Sequence, residues 1–197
     1  MPKSYSDKER NYITNLLKKE AEKCLNLYGV KKTTVDELVK RVNISKGTFY
    51  LFYDSKERLL FEVINDLHDE IQAQFIKEIG FFHEEINIEQ LTNLLFNVFK
   101  KVDSTCLLKI MTNGELELLM RKLPDKIVGE HLIHDNEIME KLTSFIPQAK
   151  EKNIQLFSGA MRGIFLTMLH KREVGEEIFD ESLKLMIRGL IIQLMEE

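Results

Sequence analysis

Apolar residues recur along this 197-residue chain at steps of three and four, the spacing of one face of an α-helix. Ile13, Leu16, Leu17, Ala21, Cys24, Leu25 and Tyr28 form the first stripe. Ser6 with Glu9 three residues later reads as a capping box at its start. Gly29 reads as its end, because glycine enters left-handed backbone without a steric penalty. Thr34 with Glu37 marks a second start, followed by Val35, Leu38, Val39 and Val42. Asn43 stands where the chain must turn, and asparagine tolerates positive φ better than most residues. Ser45 then caps a very short third helix, and Ile44 with Phe49 has the spacing of a hydrophobic staple. Ser55 caps a fourth helix, to about Ile79, with the stripe Leu60, Val63, Ile64, Leu67, Ile71 and Phe75.

The remaining chain reads as helices and short loops. Leu91, Leu94, Leu95, Val98 and Phe99 mark one helix; Ile110 to Leu123 marks another, with a break expected near Gly114. Pro124 opens the next, and Pro147 breaks or kinks a later one. The last two helices are the richest in apolar residues. One carries Ile154, Phe157, Met161, Ile164, Phe165, Met168 and Leu169; the other Leu183, Met186, Ile187, Leu190, Ile191 and Leu194. Leu156, Leu166, Leu185 and Ile192 lie off these stripes, which implies burial on more than one side. No segment alternates as a strand would, and there is no internal repeat. The expected fold class is all-α.

Composition narrows the classes. No apolar run spans a bilayer, and the charged N-terminus does not read as a signal peptide. Cys24 and Cys106 are far apart with no CxxC spacing, so a disulfide framework is not expected and a reducing cytoplasm is the expected setting. The net charge of −4 hides an asymmetry. Residues 1–58 hold 13 basic and 8 acidic side chains, whereas 59–197 hold 15 and 24. A basic head on an acidic body points to a polyanionic partner for the head alone.

The stretch from Thr33 to Glu57 carries the strongest functional signal. Two short helices joined by a turn of about three residues make a helix-turn-helix, whose second helix enters the DNA major groove by its amino end. Phe49, Phe52 and Tyr53 are spaced to anchor that helix from behind. Lys46, Gly47, Thr48, Tyr50 and Leu51 remain for the outer face. Gly47 removes a side chain where backbone must approach DNA, and Lys46 reaches a base edge or phosphate. Thr48 offers a hydroxyl and a methyl, and Tyr50 a phenolic donor. Lys56 and Thr34 sit in first turns, where free amides favour an anion. Thr34, Ser45 and Thr48 read equally well as caps alone. Lys40 and Arg41 read as solvated charges.

Thr-Thr-Val-x-x-Leu, then Ile-Ser-Lys-Gly-Thr-Phe-Tyr-x-x-Tyr, then Ser-Lys-Glu closely resembles the DNA-binding domain of the TetR family of transcriptional regulators, over roughly residues 6–65. Asn43 stands where that family commonly has glycine, and Phe52 where it commonly has His or Tyr. The resemblance implies a homodimeric, ligand-responsive DNA-binding regulator, often a repressor, with operator DNA, an unidentified small molecule and a second copy as partners. It divides the chain into a three-helix DNA-binding domain, residues 1–58, and a larger helical ligand-binding and dimerisation domain, residues 59–197.

Within the larger domain, Met111, Met120, Phe157, Met161, Phe165 and Met168 are candidates to line an adaptable apolar pocket; plain core is the alternative. Glu115 and Glu117 read as solvent-facing carboxylates, with selection of a cationic ligand as the functional alternative. The final two helices are the expected dimer interface, through Ser158, Gly159, Met161, Arg162, Phe165, Met186, Leu190, Ile191 and Leu194, with small residues allowing close approach. Glu130, His131, His134 and Asp135 invite a metal reading, but a third helical ligand in the usual pattern is missing. No cofactor is expected, and no nucleophile–base–orienter set or phosphate-cradling loop suggests catalysis. The alternatives are a constitutive DNA-binding or architectural protein without a ligand, and a metal-dependent enzyme using the 130–135 cluster.

Overall fold

A computed structural model describes residues 5–82, 86–124, 126–127 and 153–195. Among these residues all regular structure is helical. The chain divides into two compact units: residues 1–68 with 109–128, and residues 69–108 with 129–197.

The first unit begins with α1 (Asp7–Lys32). Its capping box forms: the Ser6 N–H donates to Glu9 Oε2 at 2.9 Å, and the Ser6 hydroxyl accepts from the Glu9 N–H at 3.4 Å. Leu17, Ala21, Cys24 and Leu25 are buried, so the core face is the one the stripe marks. Tyr28, the last residue of that stripe, is exposed instead. Its ring lies under the Arg41 guanidinium, 5.9 Å away, and its hydroxyl accepts from Arg41 at 3.3 Å. Gly29 interrupts the helix with φ 74° and ψ −174°, a region essentially reserved for glycine.

Thr34 caps α2 (Val35–Val42), accepting from the Glu37 N–H at 3.2 Å. Glu37 does not return the bond; its carboxylate takes Arg41 at 2.7 Å. Asn43 adopts the left-handed conformation, φ 57°, and ends the helix. Two residues later Ser45 caps α3 (Lys46–Phe49), a single turn. Helix α4 (Lys56–Ile79) starts at Ser55, whose hydroxyl accepts from the Arg58 N–H at 3.1 Å. The unit is completed by α6 (Cys106–Thr112), which runs into it from residue 109, and α7 (Glu115–Met120). Gly114, at φ 64°, makes the expected break between the two.

In the second unit, α5 (Ile88–Asp103) opens with a reciprocal box between Asn87 and Gln90. Helix α8 (Ile154–Thr167) is capped by Asn153 and runs on through a 3-10 turn, Met168–His170. A short α9 (Lys171–Val174) and a turn at Gly175 lead to α10 (Phe179–Met195). The core is made by Phe75 and Ile79 of α4, Leu91, Leu94, Leu95 and Phe99 of α5, Met168, and Phe179, Leu183, Ile187 and Ile191 of α10. Burying each such side chain stabilises the unit by about 1.5–3 kcal/mol. Leu156, Leu166 and Leu185 depart from the expectation of burial: within the chain they are 65%, 50% and 72% exposed.

Candidate nucleic-acid interface

The short helix α3 cannot stand on its own hydrogen bonds, since one turn fixes more dihedrals than it returns bonds. Its caps and aromatic back hold it. The Ser45 hydroxyl accepts from the Thr48 N–H at 3.0 Å and lies 3.0 Å from the Thr48 hydroxyl. Phe49 and Tyr53 are buried, with ring centroids 6.1 Å apart, and Tyr50 meets Phe49 edge-on at 5.4 Å. Burial first, then the Glu62 carboxylate, pushes the Tyr53 phenol up to about 12, with Lys18 opposing. Phe52 is half-buried between the Tyr5 ring, 5.8 Å away, and the Arg10 guanidinium, 4.9 Å from its centroid. Arg10 also donates to the Leu51 carbonyl at 3.3 Å, fixing the far end of the segment.

The opposite face is open. Lys46, Gly47, Tyr50 and Leu51 are exposed, Tyr50 by 54%. At Gly47 a Cβ would meet only the Ser45 hydroxyl, at an ordinary 3.7 Å. Lys46 pairs with Asp36 of α2 at 2.7 Å; that hydrogen bond raises its pKa. Both partners are largely exposed, so the bridge orients the ammonium without removing it from solvent.

Other candidates are placed differently. Thr34 is exposed and occupied as a cap. Lys56 is half-buried, and its ammonium donates to the carbonyls of Val30 at 3.0 Å and Thr33 at 2.6 Å. Burial lowers its pKa. Two of its three N–H groups are therefore spent on the end of α1. Lys40 is exposed, but Arg41 is not a free solvated charge: it is paired with Glu37 at 2.7 Å and Glu20 at 3.6 Å.

Two residues have structural roles that differ from those expected of them. Thr33 is fully buried, donating its hydroxyl to the Gly29 carbonyl at 2.7 Å. Glu115, read as solvent-facing, is only 7% exposed, and its carboxylate accepts from the Val30 N–H at 2.7 Å. Its position four residues before Leu119, on the apolar face of α7, was the available clue. Glu117 does face solvent, paired with Arg121.

The remaining candidates are divided between the two units. Met111 and Met120 are half-buried in the first unit. Phe157, Met161 and Phe165 are partly buried against the core of the second unit, and Met168 lies within that core. A cleft of about 180 Å³ between α4 and α5, lined by Ile71, Gln74, Phe75, Glu78, Asn97, Val98 and Lys101, includes none of them. Ser158 is buried, Gly159 and Arg162 are exposed, and Met186 and Leu190 are half-buried. Ile191 and Leu194, expected at the dimer interface, are 1% and 9% exposed because the chain's own core covers them. Glu130, His131, His134 and Asp135 lie outside the described residues, as does Pro147.

Residues 17–63, spanning α1 to the start of α4, match the sequence model of the bacterial regulatory proteins of the tetR family. Residues 17–63 therefore carry a TetR-type helix-turn-helix. The chain is also similar to the HTH-type transcriptional regulator YuxN of Bacillus subtilis, 34% identical over 99 residues, which covers 49% of this chain and 32% of YuxN. The chain spans about a third of the length of the curated relatives it matches. A TetR-family transcriptional regulator from Mesorhizobium loti shares the fold at 16% identity, with a TM-score of 0.64 over 94% of this chain and 96% of the other. The fatty acid degradation regulator FadR from Bacillus halodurans does so at 18% identity, with a TM-score of 0.58 over 98% and 97%. The TetR-type arrangement of a helix-turn-helix followed by further helices therefore extends through the chain. Among the described residues no helix is long and apolar enough to cross a membrane.

Proposed function

We propose that the chain is a sequence-specific, duplex-DNA-binding transcriptional regulator that acts as a homodimer and answers to a small-molecule effector. One observation carries the DNA-reading part. The amino end of α3 is presented to solvent by a buried aromatic back, and at its Gly47 a Cβ would meet only the Ser45 hydroxyl, at an ordinary contact distance. A glycine inside a helix costs about 1 kcal/mol relative to alanine, and nothing in the fold offsets that here. A duplex pressed against the helix end would.

In this reading residues 1–58 read DNA, with Lys46, Gly47 and Tyr50 meeting the groove or its phosphates, and Ser45 and Thr48 holding the helix in shape. Thr34 and Lys56 contribute first to the reader's own structure. Residues 59–197 serve dimerisation and sensing. One α3 turn offers few contacts, so useful affinity needs a second half-site and a twin chain. Leu156 and Leu166 of α8 and Leu185 of α10, exposed beside Gly159, Gly163 and Gly189, are the side chains a partner would cover. The effector part draws on the TetR resemblance and on the half-buried Phe157, Met161 and Phe165. Helix α4 runs unbroken from Lys56 to Ile79 and is suited to carry a shift to the reader. An effector does so only by binding one arrangement more tightly.

The test is enrichment of duplexes from a random-sequence pool, followed by affinity measurement at fixed salt. A shared sequence with two related halves is expected. No enrichment, or binding indifferent to sequence, would refute the proposal.

A further inference from the structure

Glu115 seats its carboxylate on backbone. Its Oε2 accepts from the Val30 N–H at 2.7 Å and its Oε1 from the Lys31 N–H at 3.4 Å. From the other side, Lys56 donates to the carbonyls of Val30 and Thr33. Val30 is thus held by a carboxylate at its N–H and an ammonium at its C=O. The approach is so close that a Cβ on Gly29 would lie 2.5 Å from Glu115 Oε2. Helix α7 has a second tie, from Lys122 just beyond its end to Glu57 in the first turn of α4 at 2.9 Å. Leu119 is buried between the two.

A buried carboxylate carries a desolvation cost that only well-oriented donors offset. Ending a helix needs no such group, since caps and water satisfy free amides and carbonyls. What lies under Glu115 is the junction Gly29–Thr34, which leads directly into α2. Helix α3 follows α2 after three residues, so the angle of α2 on α1 sets where the exposed end of α3 points.

We propose that Glu115 is a positioning residue for DNA reading: its carboxylate on the Gly29 turn fixes the junction between α1 and α2 and thereby the placement of α3. This rests on the DNA-reading function proposed above. Helix α7 is then the handle through which an event elsewhere acts on the reader. Turning α7 enough to lift Glu115 frees the junction and lowers affinity for the specific duplex.

The experiment compares the full-length wild type with Glu115→Ala, Glu115→Asp and Glu115→Gln. One readout is native-state amide exchange at Val30 and Lys31. The other is affinity for a duplex that the wild type has enriched from a random pool, against a random-sequence duplex. Loss of a charge-assisted bond should speed exchange at Val30 by about tenfold in the Ala and Asp variants, the shorter Asp falling out of reach. The same variants should bind the enriched duplex about tenfold more weakly, with less than about a twofold change on the random one. Gln keeps one acceptor: it should retain protection at Val30, lose it at Lys31 and recover most of the affinity. Unchanged affinity in the Ala variant, Gln no better than Ala, or equal losses on both duplexes would overturn the assignment. If the wild type enriches no duplex, the DNA-reading function itself fails and takes the assignment with it.

Discussion

Two glycines of the first unit show opposite uses of a missing side chain. At Gly29 the backbone sits at φ 74°, and the place of a Cβ is already occupied by the Glu115 carboxylate. At Gly47 the backbone is ordinary helix, and a Cβ would meet only a hydroxyl at van der Waals distance. The fold requires the first glycine and does not require the second. A glycine that the chain's own packing leaves unexplained, on an exposed helix end, marks a surface kept clear for something else.

The comparison breaks most visibly at Gly29. Gly29→Ala forces a side chain into a conformation costing about 1–3 kcal/mol and pushes away a carboxylate whose bonds are worth about 1.5–3 kcal/mol. A loss of about 3–5 kcal/mol in urea-unfolding stability is expected. A loss below about 1 kcal/mol would mean that the turn relaxes freely and the requirement is not real.

The aromatic support behind α3 gives the next effect, through pH. Burial raises the folded-state pKa of Tyr53 to about 12, above the ordinary tyrosine value near 10. A raised pKa means that the folded chain favours the neutral phenol. The contribution is whole below about pH 10 and is lost as pH rises towards about 12, amounting to about 2–3 kcal/mol. Wild type should therefore lose stability across that window more steeply than Tyr53→Phe, followed by urea unfolding at each pH. Parallel curves would show that α3 is not held by a buried phenol.

The two regions also differ in how far the sequence reveals them. The helix-turn-helix announces itself through local chemistry: Ser6 with Glu9, Thr34, Ser45 and Ser55 act on amides three residues away, and Asn43 bends its own backbone. Such bonds are settled within a few residues, so spacing suffices. The Glu115 clasp on the Val30 N–H joins residues 85 apart, and no local rule pairs a turn amide with a distant glutamate. Periodicity does separate Leu183, on the main stripe of α10 and in the core, from Leu185, off that stripe and exposed; what it cannot say is whether an off-stripe leucine is covered. Lys56 shows the limit of charge as a guide, because its ammonium serves α1 rather than solvent.

Smaller effects belong to the exposed face, where stability and binding should part company. Lys46→Ala removes an exposed pair with Asp36, and the unfolding midpoint should not move measurably. Binding to an enriched duplex should weaken, and the slope of log affinity against log salt should fall by about one if the ammonium meets a phosphate. Tyr50→Phe should weaken binding by less and leave the slope unchanged, as loss of a neutral donor would. An unchanged slope in the lysine variant would redirect Lys46 to a base edge.

The smallest change in the fold is the sharpest test. Gly47→Ala adds one methyl group at an ordinary contact distance from the Ser45 hydroxyl, and removing backbone entropy from the unfolded chain should stabilise the protein by about 0.4–1 kcal/mol. If the gap is kept for a duplex, the same methyl should weaken binding to an enriched sequence. Stability and affinity then move in opposite directions from a single substitution. At Gly29 the corresponding change should lower both, because there the methyl group damages the junction that supports α2 and α3. A Gly47→Ala variant that is more stable and binds as well as wild type would remove the reason for reading that bare helix end as a contact surface.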